Sequence, residues 1–312
     1  MERAEQILKD VQAEGFTVDH RLNEGDERGR FFVYKLTLGD RTFVLKIASP
    51  DQERELQNEV WWNLTLARLI EAYPDCKLVP PQILMSAPSH YIGQYFDAPA
   101  LQTDSRDMAQ TERWVEPLAQ VLVDLDQLAL SPKLHGKPDY EASQSAAYTN
   151  LWGKVEKWLE KPLAQGMITE QEKARAKEQI ESRLSDIQPA LQHGDFVPWH
   201  MFDLGDGKIG LIDGEHASLT KPRYYDLAYL YTRLATRQQS FEQASKVLRE
   251  FLKLSMVDEA EFLKSWLPVI TLRSLGMYND AIADLKIQDY RPQAKELLQR
   301  SFSGQLKDFT KE

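Results

Sequence analysis

The sequence predicts an α+β chain in two lobes, a small β-rich N-terminal lobe and a larger helical C-terminal lobe. Three observations predict it. Strand-length runs of β-branched and aromatic residues, separated by turn residues, fill roughly the first hundred positions. Apolar residues then recur at three- and four-residue spacing through most of the remaining chain. One strand-like insert, Met201–Ile212, interrupts the helical part, with a turn at Gly205-Asp206-Gly207.

In chain order, residues 16–22 read as a strand, and Phe31–Leu38 and Thr42–Ile47 follow as a hairpin closed at Gly39-Asp40. A helix is expected from the Ser49-Pro50-Asp51 cap signal through Glu71. Strands near Gln82–Ser86 and Tyr91–Phe96 flank a turn at Pro88-Ser89. The first lobe then ends near Asp97, giving domains of residues 1–97 and 98–312. Beyond it, Trp114, Leu118, Val121, Leu125 and Leu128 form a helical stripe, with Pro117 either opening or kinking it. Further helices are expected over about 145–160, 169–188, 222–235, 239–254, 258–280 and 290–308.

Composition narrows the class. Hydrophobic residues at 42% and charged residues at 28% describe an ordinary globular chain rather than a disordered one. A net charge of −10, spread without an acidic or basic tail, argues against a nucleic-acid backbone as partner. No apolar run approaches a membrane span, and MERAEQILKD lacks a signal-peptide core. The single cysteine, Cys76, excludes an internal disulfide framework and fits a reducing compartment. A soluble cytoplasmic protein is expected.

The chemistry concentrates in LQHGDFVPWHMF, residues 191–202, and IGLIDGEHA, residues 209–217. They place His193, Asp195, His200 and Asp213 around one expected hairpin. Phosphoryl transfer requires a carboxylate to accept a hydroxyl proton and oxygen or nitrogen ligands for metal ions on the phosphates. Asp195 and Asp213 can supply both, with His200 as a second metal ligand.

HGDFVPWH followed by LID resembles the catalytic and metal motifs of the aminoglycoside phosphotransferase family, a branch of the protein-kinase-like fold. The resemblance implies a bilobal kinase-like fold over roughly residues 16–235. It also implies Asp195 as catalytic base, Asp213 as the main magnesium ligand and His193 as a structural loop residue. Asp226, within Tyr225-Asp226-Leu227-Ala228, matches a residue that braces the catalytic loop. Two positions depart from the pattern. His200 stands where Asn is usual, as it does in macrolide kinases, and Gly214 stands where Trp is frequent. Imidazole is the poorer ligand for a hard ion.

Such a fold needs a strand lysine on the phosphates, paired with a helix carboxylate. Lys46, within the apolar Phe43–Ile47 strand, offers the lysine. On the next helix Leu56, Val60 and Asn63 mark the inward face, and Glu59 lies about 60° from its centre. Glu59 is therefore the expected partner and Glu55 the reserve. Gly25 and Gly29 lie in the turn where a phosphate-covering loop belongs, although the turn is not a strict GxGxxG. Gln94-Tyr95-Phe96-Asp97 resembles a hinge whose backbone meets the purine.

The implied activity is transfer of a phosphate from ATP or GTP, with Mg2+, to a hydroxyl of a small molecule such as an antibiotic, amino-alcohol or sugar. Only a few residues separate Asp213 from Pro222, which leaves little room for a peptide platform. Residues 238–312 carry equal numbers of basic and acidic side chains, with no bias towards a cationic acceptor. A non-catalytic nucleotide-binding pseudokinase is the alternative, motivated by His200 and the irregular glycine turn. A zinc site from His193, Asp195, His200 and His216 lacks the close ligand pairing of zinc motifs. Trp61-Trp62 reads as core packing, and Glu215-His216 as either site residues or a solvated loop pair.

Overall fold

The computed structural model describes residues 2–23, 29–101, 108–131, 134, 153–183, 187–283 and 290–303. Gly25, much of the 145–160 helix expectation and the end of the 290–308 expectation lie outside them. The chain divides into two compact units, Met1–Pro99 with Phe202–Ala217, and Ala100–Met201 with Ser218–Glu312.

The first unit is built on an antiparallel five-stranded sheet ordered β1-β2-β3-β6-β5. Its strands are β1 (Thr17–Arg21), β2 (Phe31–Leu38), β3 (Arg41–Ala48), β5 (Ile83–Ala87) and β6 (His90–Gln94). β2 and β3 pair without a slip from Phe31↔Ala48 to Leu38↔Arg41. Their two-residue turn is possible because Gly39 takes φ 63°, which a Cβ would oppose. Leu36, Phe43, Leu45, Ile47 and Ile92 bury one sheet face against Ala4, Ile7 and Val11. Those three residues lie on α1 (Glu2–Ala13), a helix the sequence reading did not anticipate. Their three- and four-residue spacing marks an apolar stripe on an otherwise polar segment.

The other face packs Phe31, Ala48 and Tyr91 against Leu56 and Val60 of α2 (Glu53–Ile70), which follows a 3-10 turn at Pro50–Gln52. A second, three-stranded sheet joins β4 (Leu78–Val79), β9 (Ile209–Leu211) and β8 (Met201–Asp203). β4 runs parallel to β9, with Leu78 opposite Ile209, so a segment distant in sequence returns to this unit.

The second unit is helical around one short antiparallel pair, β7 (Pro189–Gln192) and β10 (Ser218–Pro222). α3 (Met108–Ala129) passes through Pro117 and buries Leu118, Val121, Leu125 and Leu128. α4 spans 153–164. α5 (Glu170–Glu181) opens on a capping box in which Thr169 and Glu172 satisfy each other's backbone N–H. α6 (Tyr225–Thr236), α7 (Phe241–Ser255), α8 (Glu259–Ala283) and α9 (Arg291–Ser303) complete the unit. Val155, Leu159, Ile180, Leu272, Leu275, Tyr278 and Leu298 share one core here.

Two expected helices differ at one end from what the sequence suggests, one stopping short of β7 and the other starting after Pro222, which ends β10. The 169–188 helix stops at Glu181, and the one expected from 222 begins at Tyr225. PALQ and SLTKP are strands because they pair with each other, and neither alternates in hydrophobicity. Among the described residues no helix is long and apolar enough to cross a membrane.

Candidate active site

Lys46 lies mid-strand in β3, opposite Val33 on one side and Tyr91 on the other. Its side chain crosses the Phe31 ring at 4.4 Å and is only 7% exposed. The ammonium donates to Glu59 Oε2 and to Asp213 Oδ1, each at 2.6 Å. Glu59 is fixed at both oxygens, since the Tyr91 hydroxyl donates to Oε1 at 2.9 Å. Burial acting alone would lower the Lys46 pKa, but the Asp213 and Glu59 charges overcome it and raise it well above the ordinary value. Burial, reinforced by the Glu59 charge, likewise pushes the Tyr91 phenol up.

Asp213 follows β9 in the left-handed region, at φ 66° and ψ 44°. It leads into a 3-10 turn, Gly214–His216, which Asn58 of α2 holds by donating to the carbonyls of Glu215 and Ala217. The glycine after Asp213 has a local cause. A Cβ on Gly214 would come within 2.3 Å of the fully buried Trp62 ring, so the indole on α2 excludes any side chain there. Trp62 is core, in keeping with the packing reading of the tryptophan pair.

Glu215 is the residue that sequence reasoning left undecided. It is buried, with Oε2 3.6 Å from the Lys46 ammonium and Oε1 3.6 Å from Arg30. Burial, then the neighbouring Asp213 charge, pushes its carboxyl up to about 7 against the pull of Lys46. His216 beside it is half exposed. Carboxylate oxygens of Glu59, Asp213 and Glu215 thus lie within 4.8 Å of one another around a single lysine. Glu55, the reserve on α2, makes no ion pair with Lys46 among the described residues.

Gln94 ends β6, exposed, and its N–H donates to the Gln82 carbonyl at 2.8 Å. The Tyr95 ring carries the Lys35 ammonium at 4.8 Å. Gly29 has φ 60° and open space around its Cα.

In the second unit, β7 delivers the loop that carries His193, Asp195 and His200. Asp226 at the start of α6 accepts from the His193 N–H at 2.6 Å and the Gly194 N–H at 2.7 Å. In return, the Asp226 N–H donates to the Gln192 side chain. Burial pushes the Asp226 carboxyl up to about 6, while the two backbone donors oppose the shift. His193 is fully buried, and its Nδ1 accepts the Asp195 N–H at 3.3 Å.

The Asp195 carboxylate stays 25% exposed, with Oδ2 3.7 Å from His200 Nδ1. That ring nitrogen also lies 3.2 Å from the Asp195 carbonyl. Burial would raise the Asp195 pKa, yet it is lowered, because His200, the Tyr229 hydroxyl and Arg233 together favour the carboxylate. Tyr229 and Arg233 were missed from sequence. Arg233 donates to the Tyr229 oxygen at 2.7 Å and to Asp280 at 3.3 Å. Their spacing was a usable signal: Asp226, Tyr229 and Arg233 stand three and four apart, on one face of α6.

Residues 24–263 match the phosphotransferase enzyme family. No curated protein sequence matches the chain significantly. Among solved structures, the choline kinase LicA from Streptococcus pneumoniae is similar at TM-score 0.59 and 15% identity, over 97% of this chain and 99% of that one. An ADP-bound aminoglycoside phosphotransferase, APH(2'')-Ib, aligns at TM-score 0.57 and 16% identity, over 95% and 98%. The Plasmodium vivax ethanolamine kinase aligns at TM-score 0.56 and 13% identity, over 92% and 81%. At these identities the likeness establishes the kinase-like α+β fold.

Proposed function

The chain belongs to the phosphotransferase enzyme family, and from that premise we propose that it moves the γ-phosphate of ATP or GTP to a hydroxyl of a small molecule. The observation that carries the reading is Lys46, buried and held at 2.6 Å by both Glu59 and Asp213. A lysine so fixed can bind the α- and β-phosphates without first being ordered. Gly25 and Gly29 would cover the phosphates, and the Gln94 and Tyr95 backbone would meet the purine edge.

The donors suit magnesium. Glu59, Asp213 and Glu215 offer three carboxylates against Lys46 and Arg30, and carboxylate oxygen is what this ion takes. Asp213 and His200 would hold it, with Glu215 adding a further oxygen. Magnesium on the phosphates neutralises charge that builds during transfer. Asp195 would orient the acceptor hydroxyl and take its proton. The acceptor oxygen bonds the γ-phosphorus as the bond to the β-γ bridging oxygen breaks, and the nucleoside diphosphate leaves. The cytoplasm, where such nucleotides are held, is the expected compartment, and a single cysteine, Cys76, outside any disulfide fits it.

The test is a thermal shift with ATP and with GTP, each with and without magnesium, on wild type and Asp213→Asn. Nucleotide at about 100 times its dissociation constant should stabilise the wild type by roughly 2.7 kcal/mol. That gain should need magnesium and vanish in the variant. No shift with either nucleotide would overturn the reading. Nucleotide binding without phosphate transfer to any alcohol would instead favour the pseudokinase, for which the imidazole at His200 is the motive.

A further inference from the structure

Glu215 is the loosely held member of the acidic group around Lys46. Glu59 and Asp213 each take the Lys46 ammonium at 2.6 Å, whereas Glu215 Oε2 stands 3.6 Å from it. Its other oxygen, Oε1, faces Arg30 Nη1 and His216 Nε2, both again at 3.6 Å. These are ion-pair distances beyond hydrogen-bond length. Yet the carboxylate is buried, and its turn is fixed because Asn58 donates to the Glu215 and Ala217 carbonyls. A fixed, buried carboxylate thus stands between two permanent cations without a tight bond to either.

Arg30 is the matching cation. It follows Gly29, which takes φ 60°. Its carbonyl accepts from the Ser49 N–H at 2.9 Å and from the Ser49 hydroxyl at 3.0 Å, so its backbone is tied to the turn between β3 and α2. The Arg30 Cζ lies 5.8 Å from the centre of the Phe31 ring, which Lys46 crosses at 4.4 Å. Nε is enclosed and makes no hydrogen bond among the described residues. The side chain as a whole is 40% exposed, and Glu215 is its ion-pair partner among the described residues. A guanidinium carries its N–H donors in a planar fork that matches phosphate oxygens in pairs. Here that fork rests beside a carboxylate without bonding it.

The two cations on either side of Glu215 can therefore do different things. Lys46 is locked by two ion pairs. Arg30 can exchange its partner at little cost, because a half-exposed pair without a hydrogen bond contributes little. Phosphate, which accepts several charge-assisted bonds at once, is the stronger partner for such a fork. The metal ions of phosphoryl transfer bridge the outer two phosphates. Glu215 lies two residues beyond Asp213, on the side where that metal is expected.

We propose that Arg30 is a second phosphate-binding cation, which leaves Glu215 for the terminal phosphate of the nucleotide and so frees Glu215 for the metal ion. This rests on the kinase reading and deepens it. The exchange couples the two ligands, since each favours the state in which the Arg30–Glu215 pair is parted.

The test is calorimetric titration of AMP-PNP, a triphosphate whose terminal group is not transferred, and of ADP, each with and without magnesium. Wild type is compared with Arg30→Met, Arg30→Lys, Glu215→Gln and the Arg30→Met/Glu215→Gln double variant. Arg30→Met should weaken AMP-PNP roughly tenfold or more but ADP less than about threefold, the loss expected of a charge-assisted contact to one phosphate. Its melting temperature without ligand should stay at the wild-type value. Arg30→Lys, which keeps the charge but not the fork, should recover part of the affinity. Without magnesium, Glu215→Gln should bind AMP-PNP more tightly than wild type, and the double variant should lose that gain. Equal weakening of both nucleotides in Arg30→Met, or no weakening, overturns the proposal. A gain that persists in the double variant overturns the exchange, because removal of a negative charge would then explain it. Failure of the wild type to bind either nucleotide counts against the kinase reading itself.

Discussion

In the first unit one buried lysine is surrounded by three carboxylates, whereas in the second the Asp195 carboxylate lies beside His200, Tyr229 and Arg233. The contacts differ as much as the signs. Lys46 touches two of its partners at 2.6 Å, and each group is clamped by a strand or helix. Asp195 is held by the Tyr229 hydroxyl, itself bonded by Arg233, and by His200 at 3.7 Å, and keeps part of its surface open. An excess of negative charge on rigid elements suits a metal–phosphate complex. A partly open carboxylate held in its ionised form suits a hydroxyl that must lose its proton. The difference teaches that charged groups can be fixed by direct ion pairs in one unit and held in a more open arrangement in the other.

The comparison breaks most visibly at Asp195. Asp195→Asn should lower turnover by about 10²–10⁴-fold while leaving nucleotide binding nearly intact, as read by single-turnover assay and thermal shift. Equal losses in both would mean that the two halves do not divide the work as described. Lys46→Met attacks the other half. With the Lys46 cation gone, Glu59, Asp213 and Glu215 face one another with Arg30 and His216 beside Glu215, and urea unfolding should show a loss of about 3–5 kcal/mol. A loss under about 1 kcal/mol would show that protonation of Glu215 absorbs the charge.

The smallest effect sharpens the second half. Lys221 titrates near 8 in the folded protein, below its ordinary 10.5, so between those values the unfolded chain holds the extra proton. Stability should therefore rise with pH across that window, and the slope should disappear in Lys221→Met. Burial, then Lys154 of α4 and Arg273 of α8, lower this pKa, while Asp226 of α6 and Asp195 raise it.

Much of the first unit was legible because its information is local. The β2–β3 hairpin is marked by its own turn glycine and strand-forming runs, and the structure keeps its bounds nearly unchanged. Glu59 was distinguishable from Glu55 by helix angle alone, and it is Glu59 that touches Lys46. The β7–β10 pair was illegible because each strand is four or five residues long and finds its stability in the other. Glu215 could not be separated from His216 beforehand, since both sit on one short turn. Their fates diverge only because Asn58 and Trp62 hold that turn against α2.

The amino-acid order by itself determined the α+β succession of elements and a lysine and glutamate spaced to meet, while Asp195 and Asp213 were singled out by the likeness of their motifs to a family's. The succession and the spacing follow from periodicities of two and 3.6 and from turn chemistry, which act over a few residues. Only the tertiary structure decided that Phe202–Ala217 joins the first unit through β4 and β9. It also decided that Glu215 is buried beside Lys46, and that Arg273 lies over the Tyr225 and Tyr229 rings with Lys221 at the same Tyr225 ring. The physical reason is common to all three. Burial and electrostatic neighbours are set by contacts between residues tens to hundreds of positions apart, and no local pattern records them.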